Sequence, residues 1–287
     1  MDGFAIALSE ITLVLFTTLA PSGAVAYLIM GLPLLAGRAT GDAARRLSRM
    51  SCLPLVVAMV GLVASATHLG NPSNALYVFT GVGRSPLSTE VFFAVVFLAL
   101  AGVGWLYSFA EHPRRWLQRA LLAIIDVAIV AFVAAVAFAY QVDVIITWSL
   151  PLVPVALVLN ALVGGPLIAL VGFALADGPA KSGLLCAVAF AALVANTAVH
   201  GLLGAELQGM ENALASVASL VPAYPVCVAA FAILGAAGIA TACCAGRRAS
   251  GRRRIVILSA GALLALAGIF VMRFVFYMTH LTVGLGV

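Results

Sequence analysis

Charged side chains are scarce in this sequence. Aspartate, glutamate, lysine and arginine make up 9% of the 287 residues, against 64% for the hydrophobic types. A water-soluble domain carries about 25% charge, so this protein has too few polar groups to cover a surface of its own. With a mean hydropathy of +1.19 it reads as a polytopic membrane protein. The first ten residues, MDGFAIALSE, carry two acids and no basic stretch, so the expectation is a first span that is kept and not a cleaved signal peptide. The five cysteines, Cys52, Cys186, Cys227, Cys243 and Cys244, show no C-x-x-C spacing. The lack of that spacing argues against an iron–sulfur or zinc site here and for buried, inert thiols.

What the sequence does contain is long apolar runs. Each is long enough to cross a hydrocarbon layer of about 30 Å at a rise of 1.5 Å per residue. Eight spans are expected, near 10–34, 52–69, 89–110, 119–141, 150–175, 183–203, 222–245 and 255–277. The fold class is therefore an all-α integral membrane protein, read as a single membrane domain over 1–287.

The basic residues sort by loop. Arg38, Arg45, Arg46 and Arg49 lie in the first loop, and Arg114, Arg115 and Arg119 in the third. Lys181 lies in the fifth, and Arg247, Arg248, Arg252, Arg253 and Arg254 in the seventh. Positive loops stay on the cytoplasmic side, which places both termini outside. The net charge of +5 is then topological, and no nucleic-acid partner is implied. GLPLLA at 31–36 echoes GGPLIA at 164–169, and the AxH ending at His68 echoes that ending at His200. These echoes point to a parallel 4 + 4 helix repeat with halves 1–141 and 142–287.

Polar residues at membrane depth are costly and mark function. In this topology His68, Glu90, His200, Glu206, Arg273, Tyr277 and His280 collect in one outer layer. His112 sits apart in a basic loop. The stretch THLGNPSNALYVFTGVGRSPLSTE (67–90) concentrates the signal. A quinol site needs a hydrogen-bond acceptor, a proton exit and an apolar slot. His68 supplies a neutral imidazole, and Glu90 a carboxylate close to water. The Asn71–Pro72 turn folds the loop back between them, and Ser88 caps span three with Glu90 in its first turn. Structural roles compete at each position: Glu90 as a carboxylate at a helix start, His68 bonded to a loop carbonyl, and Arg273 paired with Glu90 or Glu206. Asp126 and Asn160 are expected to make polar helix–helix contacts.

HLGNP…GVGRSPLSTE, then GAEL, LVPAY at 220–224 and RFVFYMTHLTVG resemble the membrane anchor subunit of dimethyl-sulfoxide-reductase-type molybdoenzymes, over essentially the whole sequence. The resemblance implies an anchor without haem, metal or iron–sulfur cluster of its own, in the bacterial cytoplasmic (inner) membrane. It implies a heterotrimer with a molybdopterin catalytic subunit and an iron–sulfur subunit, fed by menaquinol. His68 and Glu90 match the histidine and glutamate linked to quinol binding in that family, while Arg84 stands where a small residue is expected. Ser88, Arg273 and Tyr277 complete the candidate quinol-binding set. Two other classes stay open on the residues alone. One is a b-type cytochrome with paired outer histidines. The other is a secondary transporter, which the near absence of mid-span charge disfavours.

Overall fold

The computed structural model describes residues 2–67, 72–178, 180–248 and 250–283. Eleven α-helices are present among them. Eight stretches are long and apolar enough to span a membrane: α2 (Ile11–Leu35), α3 (Gly41–Met50) continued by α4 (Cys52–Thr67), α5 (Pro86–Tyr107), α6 (Arg115–Ala139), α7 (Leu152–Leu175), α8 (Ser182–Leu207), Tyr224–Ala245 of α10 (Tyr224–Arg248), and α11 (Gly251–Met278). The expected spans fall on these helices with ends moved by a few residues, except that the second begins at Gly41 rather than near 52. The loops hold more helix than their polarity suggested. A short α1 (Gly3–Ser9) precedes α2, and α3 (Gly41–Met50) occupies the first basic loop and runs into α4 through Ser51. A 3-10 helix covers Pro72–Gly81, and α9 is one turn, Val217–Leu220.

α2 and α7 form the centre of the bundle. In their most apolar stretches 67% and 78% of residues are buried, against 22% for α5. The two helices pack by presenting small residues to one another. A Cβ added to Gly164 of α7 would lie 2.6 Å from the Ser22 hydroxyl, and one at Gly165 would lie 2.8 Å from Val25 Cβ. In lipid the hydrophobic effect does not press helices together, so such close approach supplies the dispersion contact that holds them. α10 and α11 meet the same way at Gly238 and Gly261. The hydroxyls of Thr17, Thr18 and Ser22 in α2 donate to backbone carbonyls three or four residues back, which satisfies them without water. Asn196 of α8 donates to Asn160 of α7 at 2.8 Å, the polar helix–helix contact expected of Asn160.

Outside this centre the apolar residues turn outward. Val56, Val63, Val127, Val130 and Val194 are exposed along their spans, as a lipid-facing belt requires. Cys244 also lies exposed, on the outer side of α10, so not every thiol is buried; the other four are buried or half-buried.

The loops gather at two ends. At the basic end Arg46 Nε donates to the Ala176 carbonyl at 3.2 Å, and the Trp105 indole donates to the Arg49 carbonyl. At the other end the C-terminal residues return to the middle loops. The Ile146 amide donates to the Leu281 carbonyl, and Asn212 Nδ2 donates to that of Thr282. This second end carries His200 and His280 within a turn or two of the helix ends, and is called the histidine end below.

Candidate functional site

α11 brings the functional side chains of the histidine end to one level. Arg273 and Tyr277 are one turn apart on the same face, and both are almost fully buried, at 3% and 0% exposure. Arg273 Nε donates to the Thr17 hydroxyl of α2 at 2.9 Å. Its guanidinium carbon also lies 4.2 Å from the centre of the Phe276 ring, and 5.3 and 5.5 Å from those of Tyr140 and Tyr277. Aromatic faces stabilise a desolvated cation of this kind. The Tyr277 hydroxyl donates to the Tyr140 oxygen at 2.7 Å, which ties α11 to the end of α6.

Glu90 belongs to the same cluster. It is 1% exposed and lies within electrostatic range of Arg273, Tyr140 and Tyr277. Its Oε2 and the Arg273 Nη2 both lack a hydrogen-bond partner among the described residues. Buried polar atoms are nearly always satisfied, so two unpartnered atoms in one cluster are unusual and single it out. Glu90 is therefore not a carboxylate at a helix start. It is the fifth residue of α5, beyond the first turn, and points into the bundle.

The cap of α5 also differs from expectation. Ser85 is the N-cap, and its hydroxyl accepts from the Ser88 amide at 3.4 Å. Pro86 sits next in line, where its missing N–H costs nothing. That shifts Ser88 to the third helical position. There its hydroxyl touches the end of the 3-10 helix, 2.6 Å from where a Cβ on Gly81 would stand, so glycine is what lets the two elements meet.

A cavity of about 450 Å³ opens beside this cluster. Tyr140, Tyr277, Trp148 and His280 line it, with Trp148 in edge contact with both tyrosine rings. Ser85 to Leu87 contribute from α5, and Glu10 from the start of α2. Trp148 is packed at 4.9 Å against Phe276 and at 5.0 Å against the His280 ring, and its indole N–H donates to the Phe276 carbonyl. Burial holds the His280 imidazole below its ordinary range, with Glu10 acting in the opposite sense. His280 is therefore neutral at pH 7, with a ring nitrogen able to accept a hydrogen bond.

His200 lies elsewhere. It is buried in α8 against Phe231, and the Tyr224 hydroxyl donates to its carbonyl at 3.0 Å. Its Nε2 has no partner among the described residues, and it lines a second, smaller cavity of about 30 Å³ that Arg273 also touches. His200 and His280 thus face separate cavities, which is not the facing pair that a bis-histidine haem needs. Among the described residues no three His, Cys, Asp or Glu side chains converge. Glu206, the other partner considered for Arg273, is exposed on the surface of α8.

Of the residues singled out in the sequence, Glu90, Arg273 and Tyr277 come together, and Ser88 stands two residues from Glu90. His68 and Asn71 lie outside the described residues; Thr67, directly before His68, ends α4. Tyr140, Trp148, Glu10 and Thr17 were not anticipated. Tyr140 and Trp148 carried a signal, being aromatic residues that bracket the turn between the fourth and fifth spans. Thr17 carried none beyond its place in an apolar run.

The family described as DMSO reductase anchor subunit (DmsC) matches residues 4–279. The C chain of the anaerobic dimethyl sulfoxide reductase of Escherichia coli (strain K12) is 31% identical over 284 residues, covering 97% of each protein. The YnfH chain of anaerobic dimethyl sulfoxide reductase, from the same organism, is 29% identical over 280 residues, again covering 97% of each. With a family match spanning nearly its full length, and eight apolar helices to carry it in a bilayer, this multi-pass membrane protein belongs to the DmsC family of DMSO reductase anchor subunits.

Proposed function

We propose that this anchor oxidises a membrane quinol, menaquinol by family resemblance, in the cavity at its histidine end. Electrons then pass to an iron–sulfur partner subunit, and from there to a molybdopterin catalytic subunit, in the bacterial inner membrane. The observation that carries the reading is the cavity itself. Its volume of about 450 Å³ falls in the range of about 300–1,000 Å³ typical of small-molecule sites. It combines flat aromatic walls at Trp148, Tyr140 and Tyr277 with a neutral imidazole at His280. Directly behind the tyrosine pair stand Glu90 and Arg273 with their unsatisfied atoms.

The chemistry is a two-electron, two-proton oxidation. The quinol head group lies against the aromatic wall with one hydroxyl donating to His280, and by family resemblance His68 and Glu90 take part in binding and deprotonating the other. Both O–H bonds break, the two protons leave to water at the histidine end, and two electrons go to the nearest iron–sulfur cluster of the partner. The positive-loop pattern places this end outside, so the partner docks there, and the anchor needs no redox group to carry charge across the bilayer.

The test is binding of a fluorescent hydroxyquinoline N-oxide, a quinol analogue, to the assembled complex, with quinol oxidation followed in parallel. His68→Ala and Glu90→Gln are expected to lose both while the partner subunits stay attached. Unchanged quinol oxidation in both variants would overturn the site. The pH profile gives a second check. His280 accepts only when neutral, and its pKa lies below the ordinary value of about 6.5. Analogue binding should therefore be flat through pH 7 and fall only at pH below the usual imidazole range. In His280→Gln that acid limb should vanish. A binding transition centred at or above pH 6.5 would remove His280 from the head-group site.

A further inference from the structure

The opposite end of the bundle holds another cavity that the quinol reading does not use. We infer that it is a binding site for the phosphate head group of an anionic phospholipid. The cavity measures about 220 Å³ and lies where three spanning helices end or begin, at Leu34 of α2, Ser108 after α5 and Arg115 of α6. Three guanidinium-bearing side chains line it, Arg45 from α3 and Arg115 and Arg119 from α6. Asp42 is the one acid among its described lining residues.

Two further features aim at an anion. The first is the start of α3. Thr40, its N-cap, makes no capping bond through its hydroxyl, and Thr40, Gly41 and Asp42 all border the cavity. The first amides of a helix have no intrahelical acceptor, and a phosphate oxygen is their natural partner. Gly41 has φ +57°, and a Cβ there would meet nothing within 4 Å, so the backbone stands open on that side. The second feature is Ser108. It is 4% exposed, it lines the cavity, and its hydroxyl has no hydrogen-bond partner among the described residues. An uncapped helix start, an orphan hydroxyl and three arginines converging on one space match the donors that a phosphodiester accepts from.

Depth favours a lipid over a free phosphate. A cavity framed by the ends of spanning helices lies at the head-group layer, where lipid phosphates already reside. Trp116 and Phe109, 66% and 49% exposed on either side of this loop, are the aromatic residues that settle at that interface. The clustering of basic residues at a cytoplasmic membrane face also selects anionic lipids. Head-group binding here would tie α3, α5 and α6 together at the end remote from quinol chemistry.

The experiment uses the full-length protein in detergent, stripped of lipid, with native mass spectrometry of added phosphatidylglycerol, phosphatidylcholine or inorganic phosphate. Wild type should take up one tightly held phosphatidylglycerol in preference to phosphatidylcholine. Replacing Arg45, Arg115 and Arg119 together by glutamine should weaken it by about fivefold per arginine, on the order of a hundredfold in all. That variant also removes charges that orient the protein, so two others guard the test. The triple lysine variant keeps the charges but loses the planar fork, and should bind about tenfold more weakly. Asp42→Asn removes the one repulsive carboxylate and should bind about fivefold more tightly, a gain that misfolding does not produce. Phosphatidylglycerol uptake that is equal in wild type and all three variants would overturn the proposal. So would inorganic phosphate at low concentration displacing the lipid. Quinol oxidation is no readout here, so the two sites fail or stand separately.

Discussion

Glu90→Gln is expected to slow quinol oxidation on the order of a hundredfold or more, the usual loss when a positioned acid–base group is removed. Assembly with partner subunits should be little changed. Arg273→Met is expected to do more. Arg273 is 3% exposed, and Glu90 is the carboxylate within its electrostatic reach. The two are not in direct ion-pair contact, but losing Arg273 removes the positive charge nearest the buried Glu90 carboxyl and leaves that polar group in an apolar setting. It also frees the Thr17 hydroxyl and strips the cation from the faces of Tyr140, Phe276 and Tyr277. The complex should therefore lose both quinol oxidation and thermal stability.

The double variant Glu90→Gln/Arg273→Met separates these effects. With both charges gone, the apolar interior no longer holds an unpaired ion. Thermal stability should recover a substantial part of the single-variant loss, while quinol oxidation stays absent. A thermal-shift series in detergent, read beside quinol oxidation, decides the matter. If the double variant is as unstable as Arg273→Met, the two charges are not coupled, and Glu90 has another partner. If Glu90→Gln oxidises quinol at the wild-type rate, Glu90 only holds Arg273 in place.

Leu87→Trp should abolish quinol-analogue binding with the complex intact. Leu87 borders the large cavity and is half exposed, so an indole there has room to form without straining the core. His200→Gln should leave binding near the wild-type level, because volume separates the two candidate histidine sites. The cavity beside His280 measures about 450 Å³, whereas that beside His200 measures about 30 Å³. The latter is about the share of liquid volume taken by one water molecule, too small for a two-ring head group. Fluorescence titration of the analogue against both variants reads the result. Loss in His200→Gln together with retention in Leu87→Trp would move the site to the second cavity.

The residue order alone determined that this protein lives in a bilayer, and nearly where it crosses. Uninterrupted apolar runs leave a spanning helix as the way to satisfy every backbone N–H and C=O in lipid, so hydropathy read seven spans to within a few residues and missed only that the second begins at Gly41, inside the basic loop. The HLG-x-P and S-x-L-S-x-E motifs and the terminal FYMTHLTVG likewise carried the family legibly, because such polar residues are rare at this depth. Glu90, Arg273 and Tyr277 stood out for the same reason.

The packing of the bundle decided the rest. That Glu90 faces protein and not water is decided by the packing of α5 against the bundle. Ser85 caps α5 with Pro86 at the first helical position, which leaves Glu90 as the fifth helical residue, where it is buried. Tyr140, Trp148 and Glu10 became site residues only because α6, the following turn and α1–α2 converge on α11. Tyr140 and Tyr277 stand 137 positions apart and share no local pattern that would announce their contact. The basic loop residues shifted in the same way. As sequence they orient the protein in the membrane, and only the helical fold of residues 41–50 beside α5 and α6 gathers three of them around one cavity. Apolar periodicity selects helices in a membrane, but close contact between small residues fixes which helices meet, and the site follows from those contacts.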